Sequence, residues 1–206
     1  MLKAVIFDFG GVFDSKHESL EGFREAAVQY GLTPEAFYDL LYSGDAWQQA
    51  KLGSISARDY WRAVMLSLGH DASEDVEAFS RRLFAGHQLD AGVVRIAERL
   101  HRRVPLALLS NATDELEMLL ESKYGIHHLF DVVINSARAH VAKPDPRAFQ
   151  LALEGLKVEP AQALFIDDKL RNILAARALG IPSIHFTDAE SLERELIGYN
   201  LLDPKP

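Results

Sequence analysis

Three apolar runs in this chain end in residues able to do chemistry. Ala4-Val5-Ile6-Phe7 runs into Asp8, Leu106-Ala107-Leu108-Leu109 into Ser110-Asn111, and Ala163-Leu164-Phe165-Ile166 into Asp167-Asp168. A further polar group, Lys143-Pro144-Asp145-Pro146, stands before the helix that precedes the last of these runs. If the runs are strands of one parallel sheet, their ends lie along one edge and the groups share a pocket. Carboxylates open on one side suit Mg²⁺, which takes oxygen ligands and keeps several waters. A cation there lets an anionic carboxylate approach an anionic phosphate. The carboxylate would then form an aspartyl-phosphate that water hydrolyses.

Each residue also has a plainer reading. Ser110, Asn111, Asp167 and Asp168 all stand just before predicted helices, so each taken singly fits an N-cap. Asp145-Pro146 fits an N-cap followed by proline at the first helical position. Lys143 alone fits a solvated lysine. Asp8 is the hardest to explain in this way, because a carboxylate at the end of a buried strand is costly to desolvate without a partner.

The elements that would position these groups follow from periodicity. The three runs, with Val132-Val133-Ile134, read as fully buried strands of a parallel sheet, and Ile181 to Phe186 as a weaker fifth. Helical stripes lie between them: Leu116, Leu119 and Leu120, then Phe149, Ala152, Leu153 and Leu156. Leu170 to Leu179 reads as a helix ended by Gly180. Residues 15–88 differ, with helical periodicity and no convincing strand. Phe23, Ala26, Ala27 and Tyr30 share a face, as do Trp61, Val64, Met65 and Leu68, and then Val76, Phe79 and Leu83. The expected fold is α/β: a Rossmann-like parallel sheet formed by residues 1–14 and 89–206, with a small all-helical domain, 15–88, inserted after the first strand. The tail after Tyr199 is expected to fray.

Composition narrows the function. The chain has 206 residues, a formal net charge of -8 and no cysteine. The acidic balance argues against nucleic acid, whose binding rests on clustered Lys and Arg. The lack of cysteine removes disulfides, thiolate metal sites and cysteine nucleophiles. No membrane span or signal segment is visible, and a cytoplasmic location is expected.

Taken together, the motifs resemble the haloacid dehalogenase (HAD) superfamily over nearly the whole chain. They are Val5-Ile6-Phe7-Asp8-Phe9-Gly10-Gly11-Val12, Leu108-Leu109-Ser110-Asn111, Ala142-Lys143-Pro144-Asp145-Pro146, and Leu164-Phe165-Ile166-Asp167-Asp168 with Asn172. The helical insert matches that family's first type of cap domain. The first motif is similar to that of a phosphatase-like subgroup that includes sugar-1-phosphate phosphatases. The resemblance implies a Mg²⁺-dependent phosphomonoesterase acting on a small phosphorylated metabolite such as a sugar phosphate. By the same resemblance Asp8 is the nucleophile and a metal ligand, with the Gly10 carbonyl and Asp168 as further ligands. Asp167 and Asn172 orient ligands or metal-bound water. Ser110 and Asn111 bind the phosphoryl group, and Lys143 neutralises charge on it and on Asp8. If a helix began at Asp168, Asn172 would share its face.

One position departs from the family pattern. Most relatives with phosphatase activity carry a second Asp two residues after the nucleophile, and here that residue is Gly10. General acid–base help of that kind is worth about 10²–10⁴-fold. Its loss points to a slow enzyme, a good leaving group, or another acid, for which Asp14, His17 and His140 are candidates. Two alternatives stay open: a 2-haloacid dehalogenase using Asp8 without metal, and a catalytically weakened protein that binds a phosphometabolite or regulates. Trp47 and Trp61 are expected to pack within the helical insert.

Overall fold

The computed structural model describes residues 1–15, 23–71, 73–84 and 88–204. Its strands are β1 (Ala4–Phe7), β2 (Gly10–Gly11), β3 (Asp14–Ser15), β4 (Leu106–Ser110), β5 (Val132–Asn135), β6 (Ala163–Asp167) and β7 (Ser183–His185). Five of them form one parallel sheet in the order β5-β4-β1-β6-β7. The chain winds outward from β1 to β5, returns to β6 and winds the other way. The order therefore reverses beside β1, where open α/β sheets bind ligands.

The alternation along β1 shows why an unbroken apolar run becomes a central strand. Val5 and Phe7 enter one hydrophobic cluster, with Leu106, Leu108, Leu164 and Ile166. Ala4 and Ile6 enter the other, with Ala107, Leu109, Ala163 and Phe165. Successive side chains point to opposite faces, so a strand covered on both sides needs apolar residues throughout. The helices Ala91–His101 and Ala189–Gly198 cover the first face through Val93, Ile96, Leu100, Leu192 and Leu196. Pro146–Leu156 and Leu170–Ala178 cover the second through Phe149, Ala152, Ile173 and Ala176. Burial of one such large side chain contributes about 1.5–3 kcal/mol.

Three details differ from the sequence reading. Val132, Val133 and Ile134 are half-buried, because β5 is an edge strand. The Leu116 stripe gives only a short helix, Leu116–Met118, which widens into a π-turn over Leu119–Lys123. The tail does not fray through Asp203. Leu201 and Leu202 are buried in the first cluster, Arg103 donates to the Leu201 carbonyl at 3.2 Å, and Arg99 donates to the Asp203 carbonyl at 2.9 Å.

Between β3 and the helix Ala91–His101, the described residues form the helices Arg24–Gln29, Pro34–Ser43, Asp45–Ala50, Ala57–Ser67 and Val76–Leu83. Thr33, Ser56 and Asp75 cap three of them through side-chain oxygens. Their apolar stripes meet in a third cluster around Phe23, Phe37, Tyr60, Trp61, Met65 and Phe79. Where this segment begins and ends, the Asp90 N–H donates to the Phe13 carbonyl at 2.8 Å. The chain thus leaves the sheet and returns to it at adjacent points. No described helix is long and apolar enough to cross a membrane.

Candidate active site

The site begins with the turn that follows β1. The Phe9 carbonyl accepts from the N–H groups of Val12, Phe13 and Asp14 at 3.2, 2.9 and 3.3 Å. This turn reverses the chain at once and leaves Asp8 at the sheet edge. The Asp8 N–H donates to the Ile166 carbonyl of β6 at 2.8 Å, so the β1–β6 register carries one residue further and sets Asp8 level with Asp167. Gly11 has φ +88°, and a Cβ there would lie 2.3 Å from Cγ of Asp168. Glycine is needed at that point for both conformation and space. A Cβ at Gly10 would meet nothing within 4 Å.

Lys143 joins the two strand ends. Its Nζ lies 2.8 Å from Asp8 Oδ1 and 2.7 Å from Asp167 Oδ2, and all three residues are buried, with Lys143 3% exposed. Asp8 Oδ1 also accepts from the Phe9 N–H at 2.7 Å. Asp167 is further held by Asn172, whose Nδ2 donates to both carboxylate oxygens at 3.0 Å, and by the Lys169 N–H at 2.8 Å. Asn111 positions the lysine: its Nδ2 donates to the Lys143 carbonyl at 2.9 Å and its Oδ1 accepts from the Lys143 N–H at 2.8 Å. Ser110 is buried at the end of β4.

The electrostatics follow from this sharing. Burial, then the charge of Asp167, raises the Asp8 carboxyl to about 7 against the pull of Lys143 and Lys169. Burial also opposes ionisation of Asp167, but Lys143, the Lys169 N–H and Asn172 together hold it below its ordinary value. Asp168 is raised, chiefly by burial. Three carboxylates therefore face two lysines, and negative charge is in excess.

That excess, with two buried oxygens, bears on whether a cation fits. Asp8, Asp167 and Asp168 each offer one oxygen within 4.8 Å of the others. Asp168 Oδ1 is buried without a hydrogen-bond partner, as is Asn172 Oδ1. Buried oxygens of this kind call for an explanation, and a small hard cation supplies one for Asp168. The donor set fits a divalent metal.

The structure brings Asp8, Lys143, Asp167, Asn172 and Asn111 into one bonded group. It corrects several readings of them. None of Ser110, Asn111, Asp167 and Asp168 is an N-cap, because the helices that follow begin later, with Glu115 and Lys169 at the N-cap positions and no side-chain cap bond from either. Asp145 is the N-cap expected, with Pro146 at the first helical position. Asn172 bonds Asp167 rather than pairing with Asp168, since its helix starts at Leu170. Asn111, expected with Ser110 on a phosphoryl group, has its side-chain amide bonded to the Lys143 backbone. Lys143 is not solvated. Its neighbour Lys169 was not singled out by spacing, because a lysine after an acidic pair carries no sequence signal of its own.

The candidates for an additional acid separate. His17 lies outside the described residues. His140 is exposed, has φ +53°, and its Nδ1 pairs with the Leu52 carbonyl at 2.9 Å. It helps seat the 52–57 loop, whose Ala57 N–H donates to Asp114 Oδ1 at 2.9 Å. Asp14 is half-buried, and its charge reaches Tyr38, Tyr42, Tyr124 and Lys123. Tyr38, on the helix Pro34–Ser43, was missed by periodicity. Burial, then the fields of Asp168, Asp14 and Asp8, pushes its hydroxyl well up. Trp61 packs in the helical cluster as expected, and Trp47 is half-buried against it.

A family model described as haloacid dehalogenase-like hydrolase matches residues 2–180. The sesquiterpene phosphatase astK of Aspergillus oryzae is 28% identical over 95% of this chain and 97% of its own. An (S)-2-haloacid dehalogenase of Xanthobacter autotrophicus is also 28% identical, over 96% of this chain and 80% of its own. Among solved structures, a HAD family enzyme from Bacteroides thetaiotaomicron, in complex with magnesium and inorganic phosphate, shares the fold. Its TM-score is 0.70 at 20% identity, over 93% of this chain and 99% of that one.

Proposed function

The chain belongs to the haloacid dehalogenase-like hydrolases, and from that premise we propose that it is a Mg²⁺-dependent phosphatase acting on a small phosphorylated metabolite. The observation that carries this reading is the buried bridge of Lys143 between Asp8 and Asp167, with an unpartnered Asp168 oxygen beside it. A carboxylate that attacks a phosphate dianion must have its charge offset. The phosphatase relative at 28% identity supports the same reading.

In this mechanism Asp8 attacks phosphorus, the bond to the alcohol oxygen breaks, and water then cleaves the aspartyl-phosphate. Asp8, Asp168 and the Gly10 carbonyl would hold Mg²⁺, which supplies charge neutralisation between carboxylate and phosphoryl oxygens. Lys143 offsets charge on Asp8 and on the phosphoryl group. Asp167 and Asn172 fix Lys143, and Ser110 with the Asn111 backbone binds the phosphoryl oxygens. Residues 15–88 act as a cap that closes over the sheet edge. With glycine at position 10, Asp14 is the carboxyl on the same turn that serves as acid for the departing alcohol.

Phosphate release from an ester panel, with Mg²⁺ and with EDTA, tests the reading, and Asp8→Asn must abolish it. The dehalogenase relative favours a second reading, in which Asp8 displaces halide from a 2-haloacid. Halide release that persists in EDTA would select it.

A further inference from the structure

The helical insert meets the sheet domain at a second place, far along the chain from its base at Phe13 and Asp90. Ala57, the first residue of the helix Ala57–Ser67, donates its N–H to Asp114 Oδ1 at 2.9 Å, and the Leu52 carbonyl pairs with His140 Nδ1 at 2.9 Å. Between them Gly53, at φ +70°, lies so close that a Cβ there would fall 2.1 Å from the Ala137 carbonyl. The first N–H groups of a helix have no partner within it, and an anionic oxygen beside them is favoured by the helix dipole. Here the insert takes that oxygen from the other domain.

The places of the two side chains give this contact a role. Asp114 belongs to the loop that follows Ser110-Asn111. His140 stands three residues before Lys143, whose backbone Asn111 holds. The surface they present is itself fixed from beneath. The Ala112 N–H donates to Ser136 Oγ at 3.0 Å, Asn135 Nδ2 donates to the Thr113 carbonyl at 2.9 Å, and Arg138 Nη2 donates to the Asp114 carbonyl at 3.0 Å. Three successive residues are thus gripped by side chains of the Asn135–Arg138 segment. The insert rests directly on the two loops that follow Ser110-Asn111 and precede Lys143, and does not depend on its base alone for its place. On the phosphatase reading, we infer that Asp114 and His140 are positioning residues. They hold the insert, and with it every insert residue that meets a leaving group, in register with the phosphoryl group at Asp8. Neither touches the reacting atoms.

The test uses the full chain with Asp114→Ala and His140→Gly combined, since glycine keeps the left-handed backbone of position 140. Amide hydrogen exchange over residues 53–60 should speed by about tenfold or more, while that over 106–113 stays as in the wild type. With Mg²⁺, kcat/KM for phenyl phosphate should fall by at least about tenfold, and for acetyl phosphate, whose small leaving group gives the insert little to hold, by less than about threefold. Asp114→Asn in place of Asp114→Ala keeps an oxygen acceptor and should restore most of both. Gly53→Ala should reproduce the double variant, whereas Gly31→Ala, at a like φ of +67° with nothing within 4 Å of its Cβ, should not. Unchanged exchange or unchanged turnover of phenyl phosphate in the double variant overturns the inference, as do equal losses for the two esters. Should the variants fail to fold, the wild-type protein decides: the Ala57 amide must exchange more slowly than that of Arg58 in the same first turn, and equal rates overturn the inference. The underlying reading fails separately, if no ester releases phosphate or if Asp8→Asn keeps full turnover, and the exchange rates are read without turnover.

Discussion

Asn111 grips the backbone of Lys143 at two points, donating to its carbonyl at 2.9 Å and accepting from its N–H at 2.8 Å. The amide at the end of β4 therefore fixes the loop that carries the site's bridging ammonium. Asn111→Ala leaves a backbone donor and acceptor without their partners, at a cost of about 1–3 kcal/mol. It should lower kcat by about 10²-fold, because a small misplacement of a charged group suffices for that. Steady-state kinetics beside thermal melts will show whether the loss in rate exceeds the loss in folded protein.

Lys143→Met removes the cation between Asp8 and Asp167. Two buried carboxylates then face each other, and breaking such a pair costs about 3–5 kcal/mol. Urea unfolding should show most of this loss above neutral pH and less in acid, where the carboxyls take up protons.

If Asp8 holds the metal as proposed, metal and pH should be linked through it. Its carboxyl is raised from 3.8 to about 7 by burial and the neighbouring Asp167, and Asp168 is raised as well. The folded protein keeps protons that the unfolded chain has released. The stability contributed by these groups is therefore full below the unfolded value and is lost as pH rises through about 7. Asp167, held low, acts in the opposite sense, its contribution being lost as pH falls. Without metal, the melting temperature should decline from mildly acidic to alkaline pH. Millimolar Mg²⁺ should raise it more in alkali than in acid, since metal and proton compete for the same oxygens. An Mg²⁺ effect independent of pH would count against a site at Asp8.

Gly10→Asp should be tolerated sterically, since a Cβ there meets nothing within 4 Å. If the new carboxyl protonates departing alcohols, turnover of esters with poor leaving groups should rise by up to about 10²–10⁴-fold. Aryl esters should gain little. Equal gains for both classes would show that the added carboxyl acts otherwise.

The sheet was legible because a parallel strand covered on both faces is written as an unbroken apolar run, as in Ala4–Phe7 and Ala163–Asp167. The meeting of Asp8, Lys143 and the Asp167-Asp168 pair followed from the rule that parallel strand ends share an edge. What stayed hidden depends on geometry between distant residues. The grip of Asn111 on Lys143 requires knowing which way an amide points, and Asn135 at the end of β5 is no different in kind from Asn111 in sequence. The apparent N-caps failed because the chain runs through a turn before each helix starts. Tyr38 was missed because a helix with Phe37 and Leu41 buried leaves the neighbouring Tyr38–Tyr42 stripe without a sequence mark of what it faces.

The 2.8 Å bond between the Phe13 carbonyl and the Asp90 N–H closes the base of the helical excursion. The described part of the excursion is joined to the sheet there as a handle is joined to a cup, and it rests on the core again where His140 meets Leu52 and Asp114 meets Ala57. The entropy of closing a loop grows only slowly with its length. Mutation can then lengthen, trim or exchange the excursion while the spacing of β1 and β4 stays as it is. Selection for a new substrate has a free hand on one side of that footing, and the carboxylate–lysine cluster is inherited intact on the other.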